Sequence, residues 1–324
     1  MPHPAEPWAI PYTDQELPFW EEISTRFGPR IQEVYFPIRA DIAATGRGPQ
    51  PTEKLNNFLK RSSLPKSVLI NPVVLPGPIE ETAPPIVATL RALHEEYGVQ
   101  RLTVTDLRLA GFIKAELPYY RIAASILMDI STPFQALLVK DAVDSIVPGG
   151  RVLRDLRGLQ NLRRAFPGEI RLIVNEGCLP GCPFRTQHFY EMAYGKSWAR
   201  SLCQSTLDAQ PWLRLSGAWI LPRHLVHYSG LYDSLKLAGR VTLRDPEKYR
   251  KVLSAYLLRE PILPCDIGGG PASMLDPIDM PDELFLAILA CDKNCHACSR
   301  CPDYYHLAAS RLKNGLPAGA EPGS

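Results

Sequence analysis

Glu169-Ile170-Arg171-Leu172-Ile173-Val174 is followed without a break by Asn175-Glu176-Gly177-Cys178-Leu179-Pro180-Gly181-Cys182-Pro183-Phe184-Arg185. The first six residues are a short, apolar, β-branched run, the pattern of a buried strand. Gly177, Pro180, Gly181 and Pro183 then forbid any regular element, so the second part is a tight loop at a strand's carboxyl end. That loop carries two thiols, a carboxylate and a guanidinium, with the imidazole of His188 just behind it. Loops of this kind are where α/β folds hold their chemistry. A structural cysteine sits more naturally inside a helix or strand, so two on a Gly/Pro loop read as ligands.

Strand candidates followed by helix candidates recur on both sides of this stretch. Residues 31–38 lead to a helix over 52–61 with Thr52 as its N-cap, 67–75 to 83–97, 101–105 to 106–116, and 120–127 to 132–139. Residues 142–147 lead to 152–166, 170–174 to the cysteine loop and a helical stretch around 189–203, 213–220 to 223–229, and 234–237 to 246–259. Eight strand–helix units in about 230 residues predict an α/β fold with a parallel sheet closed into a (β/α)8 TIM-type barrel. An open doubly wound sheet gives the same alternation, but no glycine-rich dinucleotide fingerprint follows the first strand. The implied plan is an N-terminal arm and helix over 1–30, the barrel over 31–260, a Cys-rich extension over 261–312 and a disordered tail over 313–324.

Of the 324 residues, 36 are Lys or Arg and 34 Asp or Glu, a formal net charge of +2. No strong field marks nucleic acid or a membrane surface as the partner, although a local RNA-binding face is compatible with that average. No apolar run is long enough to span a bilayer, and residues 1–13 lack a basic segment followed by an apolar one. The expectation is a soluble, cytoplasmic protein. All eight cysteines lie beyond residue 177, unlike the evenly spread staples of a secreted scaffold, and clustered thiols in a reducing compartment read as metal ligands.

The cysteines fall into two groups: Cys178, Cys182 and Cys203 with Cys265 as a fourth, and Cys291, Cys295, Cys298 and Cys301. The second has C-x3-C-x2-C-x2-C spacing ending in Cys-Pro, close to ferredoxin-like runs that wrap a 4Fe-4S cluster. Zinc also accepts four thiolates but favours two separated pairs, so it is the less favoured metal. One shared cluster and two separate ones both fit the sequence, and eight unrelated buried thiols is the bland alternative. On this count the cysteine loop follows the sixth strand, and Arg39, Arg47, Arg185, Arg223 and Arg240 ring the barrel mouth with Asp106 and Asp129. A guanidinium-rich mouth suits an anionic carboxylate or phosphate, and simple pairing of these arginines with acidic neighbours is the alternative. Glu176 and His188 are the candidate proton-moving groups, against a helix cap and a locally packed ring. His224 and His227 lack a third partner at metal-ligand spacing and read as structural.

Val104-Thr105-Asp106-Leu107, the loop Asn175-Glu176-Gly177-Cys178, and Tyr232-Asp233-Ser234-Leu235-Lys236-Leu237-Ala238-Gly239-Arg240 together resemble the collagenase-like proteins of peptidase family 32 of unknown type (U). The resemblance covers about residues 31–258. It implies a TIM-type barrel holding a 4Fe-4S cluster, with Cys178 at the family's first cluster cysteine and Lys236, Gly239 and Arg240 at its basic turn. It also implies one of two activities: oxygen-independent hydroxylation of a metabolite or nucleobase, in some members with a paralogous protein partner, or the peptidase activity of the family's label. The chain departs from the family in the close spacing of Cys178 and Cys182, in Ala238 where Glu is usual, and in the added tail cysteines. The leading expectation is therefore an iron–sulfur enzyme that hydroxylates or otherwise redox-modifies a small anionic or aromatic substrate, with Arg185, Lys236 and Arg240 binding it. A collagenase-like peptidase and a metal-stabilised accessory subunit are the alternatives.

Overall fold

The computed structural model describes residues 6–43, 52–75, 77–194 and 198–316. Arg47 lies outside the described residues, as does the expected tail from residue 317 onward. Eight parallel strands close into a barrel in sequence order: β1 (Trp8–Pro11), β2 (Ile31–Pro37), β3 (Lys66–Ile70), β4 (Arg101–Val104), β5 (Arg121–Ala124), β6 (Ser145–Ile146), β7 (Glu169–Ile173) and β8 (Ser234–Lys236). β1 closes the ring, pairing with β2 on one side and with β8 on the other, where Trp8 lies against Leu235 and Ala9 against Lys236.

The strand number matches expectation, but two of its members are corrected. The N-terminal segment is not a surface arm: Trp8, Ala9 and Ile10 are completely buried in β1. Pro7 and Pro11 flank only three apolar residues there, and prolines at the ends of so short a run disguise a strand. Residues 213–220 form no barrel strand. Their first part lies in the 3-10 helix Pro211–Ser216, and residues 223–229 fall in a second one, Pro222–Tyr228. The segment is apolar because it is buried beside the extension of β7, where Ile220 N donates to Val174 O (2.7 Å) and Ala218 N to Cys178 O (3.0 Å). The cysteine loop consequently follows the seventh strand, not the sixth.

Strand alternation sorts the core into two layers. Ile10, Val34, Phe36, Val68, Ile70, Leu102, Val104, Ile122, Ile146, Ile170, Leu172 and Leu235 face outward and belong to the large core under the helices. The opposite face of the strands lines the barrel interior, where Ala9, Tyr35 and Leu69 form a small separate apolar cluster. The remaining interior positions include buried Glu33, Ser67, Thr103, Ser145, Arg171, Ser234 and Lys236. Such a polar lumen needs internal pairing. Arg171 provides part of it, reaching from β7 to Glu33 Oε1 on β2 (2.7 Å) while its Nε donates to Ser234 Oγ (3.1 Å).

Local chemistry starts the helices where the strands end. Thr52 Oγ1 accepts from Leu55 N (3.1 Å) ahead of Glu53–Arg61, Thr132 and Gln135 form a capping box, and Asp245 Oδ1 accepts from Lys248 N (2.7 Å) ahead of Pro246–Leu258. The stretch around 189–203 is two helices, Arg185–Ala193 and Trp198–Ala209. After the barrel come Asp282–Leu289 and a final helix, Arg300–Lys313. No helix among the described residues is long and apolar enough to cross a membrane.

Candidate active site at the carboxyl end of the barrel

The loops after β7 and β8 are bolted together by Asn175. Its Nδ2 donates to Ala238 O (2.9 Å) and Ile267 O (3.0 Å), and its Oδ1 accepts from Ala238 N (2.7 Å). Three segments meet so closely here that side chains are excluded. A Cβ on Gly269 would lie 1.7 Å from Asn175 O, and one on Gly177 would lie 2.1 Å from Gly269 O.

Within this frame Glu176 organises the loop. One carboxylate oxygen accepts from Cys178 N (3.2 Å) and the other faces Arg185 Nη2 (3.4 Å). Burial opposes the charge of Arg185, but Glu176 and Cys178 outweigh it, so its pKa is raised and it stays a firm cation. The Arg185 guanidinium also lies over the Phe189 ring, 5.3 Å from its centroid. His188 lies in the first turn of the same helix, its N–H donating to Phe184 O (2.7 Å) and its ring tilted against Phe189 (5.7 Å).

Lys236 ends β8 on the lumen side and is buried, its Nζ 4.2 Å from the centroid of the Tyr35 ring. Tyr35 is itself held by a hydrogen bond from its hydroxyl to Leu237 O (2.6 Å). Burial above all lowers the lysine pKa, from 10.5 to about 7, with Arg171 and Arg240 adding repulsion and Glu33 partly opposing. Arg240 is buried just beyond, after Gly239, whose positive φ of 130° is a left-handed conformation.

Other rim residues serve their own neighbourhoods. Arg39 forms two hydrogen bonds with Asp41 (3.0 and 2.6 Å), Arg223 binds Asp279 (2.6 Å), and Asp106 caps Leu107–Glu116 while pairing with Arg108 (2.6 Å). His224 is buried and stacked on Phe285 (3.8 Å) with Nε2 3.1 Å from Asp282 Oδ1; burial first, then Arg223 and Arg154, lower its pKa to about 3. This is a structural histidine.

The thiols that act on one another fall in two sets. Cys203, on Trp198–Ala209, is raised in pKa by burial and then by Cys182, with which it shares a hydrogen bond. Cys178 lies where it acts on Arg185. Cys265, in the turn Pro264–Asp266, has Asp266, Lys251 and Lys248 as its charged neighbours. In the tail, Cys301 is pushed up to about 11 by burial and then by Cys291, Cys295 and Cys298. Among the described residues no three His, Cys, Asp or Glu side chains are gathered tightly enough to hold a metal ion as they stand.

Three features escaped the sequence reading: the Asn175 bolt, the Glu33–Arg171 pair and the buried Arg154. The second had a signal, a charge alternating with apolar residues inside a strand; the other two depend on partners far away in the chain.

No protein-family model matches the chain. A protein of Methanocaldococcus jannaschii described as the uncharacterized protease MJ1657 is 22% identical over 342 residues, covering 96% of this chain and 98% of that one. The solved structure of the U32 peptidase Mk0906 superposes with a TM-score of 0.51 at 15% identity, covering 72% of this chain and 92% of that one. Likeness in sequence along nearly the whole chain and likeness in barrel thus bear out the resemblance to the collagenase-like peptidase family 32 of unknown type.

Proposed function

We propose that the chain is an enzyme of the U32 type that binds an anionic group of its substrate at the carboxyl end of the barrel, against Arg185, Lys236 and Arg240. Lys236 is the observation that carries this reading. It is a buried amine at the end of a barrel strand, in no ion pair among the described residues, with Glu33 attracting it and Arg171 and Arg240 repelling it. A carboxylate or phosphate entering the mouth supplies the countercharge, so binding raises the lysine pKa and takes up a proton. The same amine, neutral in part near pH 7, accepts a proton from bound substrate. Glu176 and Arg185 keep the loop in shape for this, and His188 is the second proton carrier.

Two chemistries suit such a mouth. Peptide hydrolysis is favoured by the names of both relatives, a protease and a peptidase. Redox modification is favoured by the thiol sets. A 4Fe-4S cluster on Cys178, Cys182 and Cys203 would supply Lewis acidity at the β7 loop if its fourth iron kept an exchangeable position, and electron transfer if a fourth thiolate closed it; the adjacent Cys182 and Cys203 fit as two of its ligands.

Calorimetric titration with small dicarboxylates and phosphates, in buffers of different ionisation enthalpy, tests the shared step. Expected is proton uptake on binding that disappears in Lys236→Met; binding without proton uptake overturns the role of Lys236. Anaerobic purification then separates the chemistries. Iron and sulfide bound through Cys182 and Cys203 support the redox reading, whereas peptide cleavage by metal-free protein supports the hydrolytic one.

A further inference from the structure

Arg154 ends the 3-10 turn Val152–Arg154 after β6 and is completely buried. Its guanidinium lies over two rings, 5.0 Å from the centroid of Trp219 and 4.5 Å from that of Phe285, and its Nε donates to Gly217 O (2.9 Å). Nη1 and Nη2 have no hydrogen-bond partner, and among the described residues no carboxylate forms an ion pair with Arg154. A buried guanidinium with two unmet nitrogens is unfavourable unless an anion faces it. The acidic groups that act on it are Tyr228, Cys301 and Cys291. Tyr228 is not that anion, because its hydroxyl donates to Leu153 O (2.7 Å) and burial holds its pKa high.

The thiols remain. Cys291 and Cys301 are half-buried and belong with the exposed Cys295 and Cys298, which also act on Cys301. Lys293, held in a left-handed conformation (φ 67°), turns its Nζ back onto Cys291 Sγ (3.3 Å). Neutral thiols would give neither cation a countercharge. Four thiolates around a zinc ion or a cubane iron–sulfur core carry a net negative charge and give it to both.

We propose that Cys291, Cys295, Cys298 and Cys301 form a tetrathiolate metal centre, distinct from the barrel mouth, with Arg154 as its buried counter-ion and Lys293 as its outer one. Each thiol releases its proton to solvent as its bond to the metal forms, and the four converge in doing so. With every ligand supplied by protein, the centre binds no substrate. It holds the extension on the barrel through Phe285 and the helix Arg300–Lys313, and as a cluster it also relays electrons.

The test uses the full chain, purified anaerobically and reconstituted with zinc or with iron and sulfide. Visible charge-transfer absorption distinguishes the cluster from zinc. Replacing all four tail cysteines by Ser is expected to remove one centre's worth of metal, while Cys178→Ser/Cys182→Ser/Cys203→Ser leaves that centre in place. Arg154→Met, which keeps the buried volume, is expected to weaken metal retention against a chelator about tenfold or more, in line with lost outer-sphere support. Should that variant fail to fold, Lys293→Ala is read the same way, with a smaller loss. Full metal content in the tail variant, or retention unchanged in both Arg154→Met and Lys293→Ala, overturns the proposal. These readouts do not involve the barrel mouth, so failure here leaves the proposed substrate site standing.

Discussion

Lys236 and Arg171 show what a charged residue costs inside a barrel. With the pKa of Lys236 lowered from 10.5 to about 7, the unfolded chain binds the extra proton between those values. Stability therefore rises as pH climbs from about 7 towards 10.5, and the full cost of the buried charge is present below pH 7. Lys236→Met should raise stability at pH 7, by up to about 4 kcal/mol, and flatten that rise. Urea unfolding at pH 6, 8 and 10 measures both, and an unchanged pH slope would show that another group sets it. The Glu33–Arg171 pair, its side chains 2% and 1% exposed, behaves oppositely because each partner satisfies the other. Glu33→Gln removes the countercharge of the guanidinium, leaving it the hydrogen bonds to Ser234 and Gln32, and should cost up to about 3–5 kcal/mol, whereas Glu33→Leu with Arg171→Met should recover most of it. Denaturant midpoints of the three variants decide between pairing and packing.

At the level of elements, the site exists because the loops after β7 and β8 and the turn at Gly268–Gly270 are pressed together. Gly269→Ala puts a methyl group 1.7 Å from Asn175 O, so backbone must move. The expected result is a loss of about 1–3 kcal/mol by strain and a larger fall in ligand affinity at the mouth, because the bolt positions both loops. Titration of the variant beside Asn175→Ala, which removes the bolt without the clash, measures each share. Much of this was legible in the sequence. Short apolar runs marked β2 to β8, and the Thr52 cap was readable from its own neighbours. What stayed hidden depends on distant partners. Residues 213–220 are as apolar as a strand because burial, not strand pairing, is what the pattern reports. Cys182 and Cys203 are brought together only by the fold of two successive helices, and Arg154 comes under the influence of Cys291 and Cys301 only where the extension folds back onto the barrel.

At the scale of the whole molecule, one short strand decides whether there is a barrel at all. β1 is flanked by prolines, yet it alone joins β2 to β8, and so it holds Lys236 across from Tyr35 at the mouth. Its outward side chains anchor it in the shell: Trp8 is completely buried against Tyr256 (5.8 Å between rings), and Ile10 is equally buried. Closure removes the exposed sheet edges that an open sheet would present. Removing residues 1–11 exposes the unpaired edges of β2 and β8 together and opens the polar lumen to solvent. The shortened chain should keep helical far-ultraviolet circular dichroism but lose cooperative unfolding and near-ultraviolet signal, and bind a hydrophobic dye. Trp8→Ala, which leaves the backbone pairing intact, should instead unfold cooperatively with about 3–5 kcal/mol less stability. If the truncated chain still unfolds in one sharp transition, seven strands suffice and the mouth is held by its loops. If only Trp8→Ala stays cooperative, the N-terminal strand is what keeps Lys236, Arg171 and Glu33 in one enclosed space.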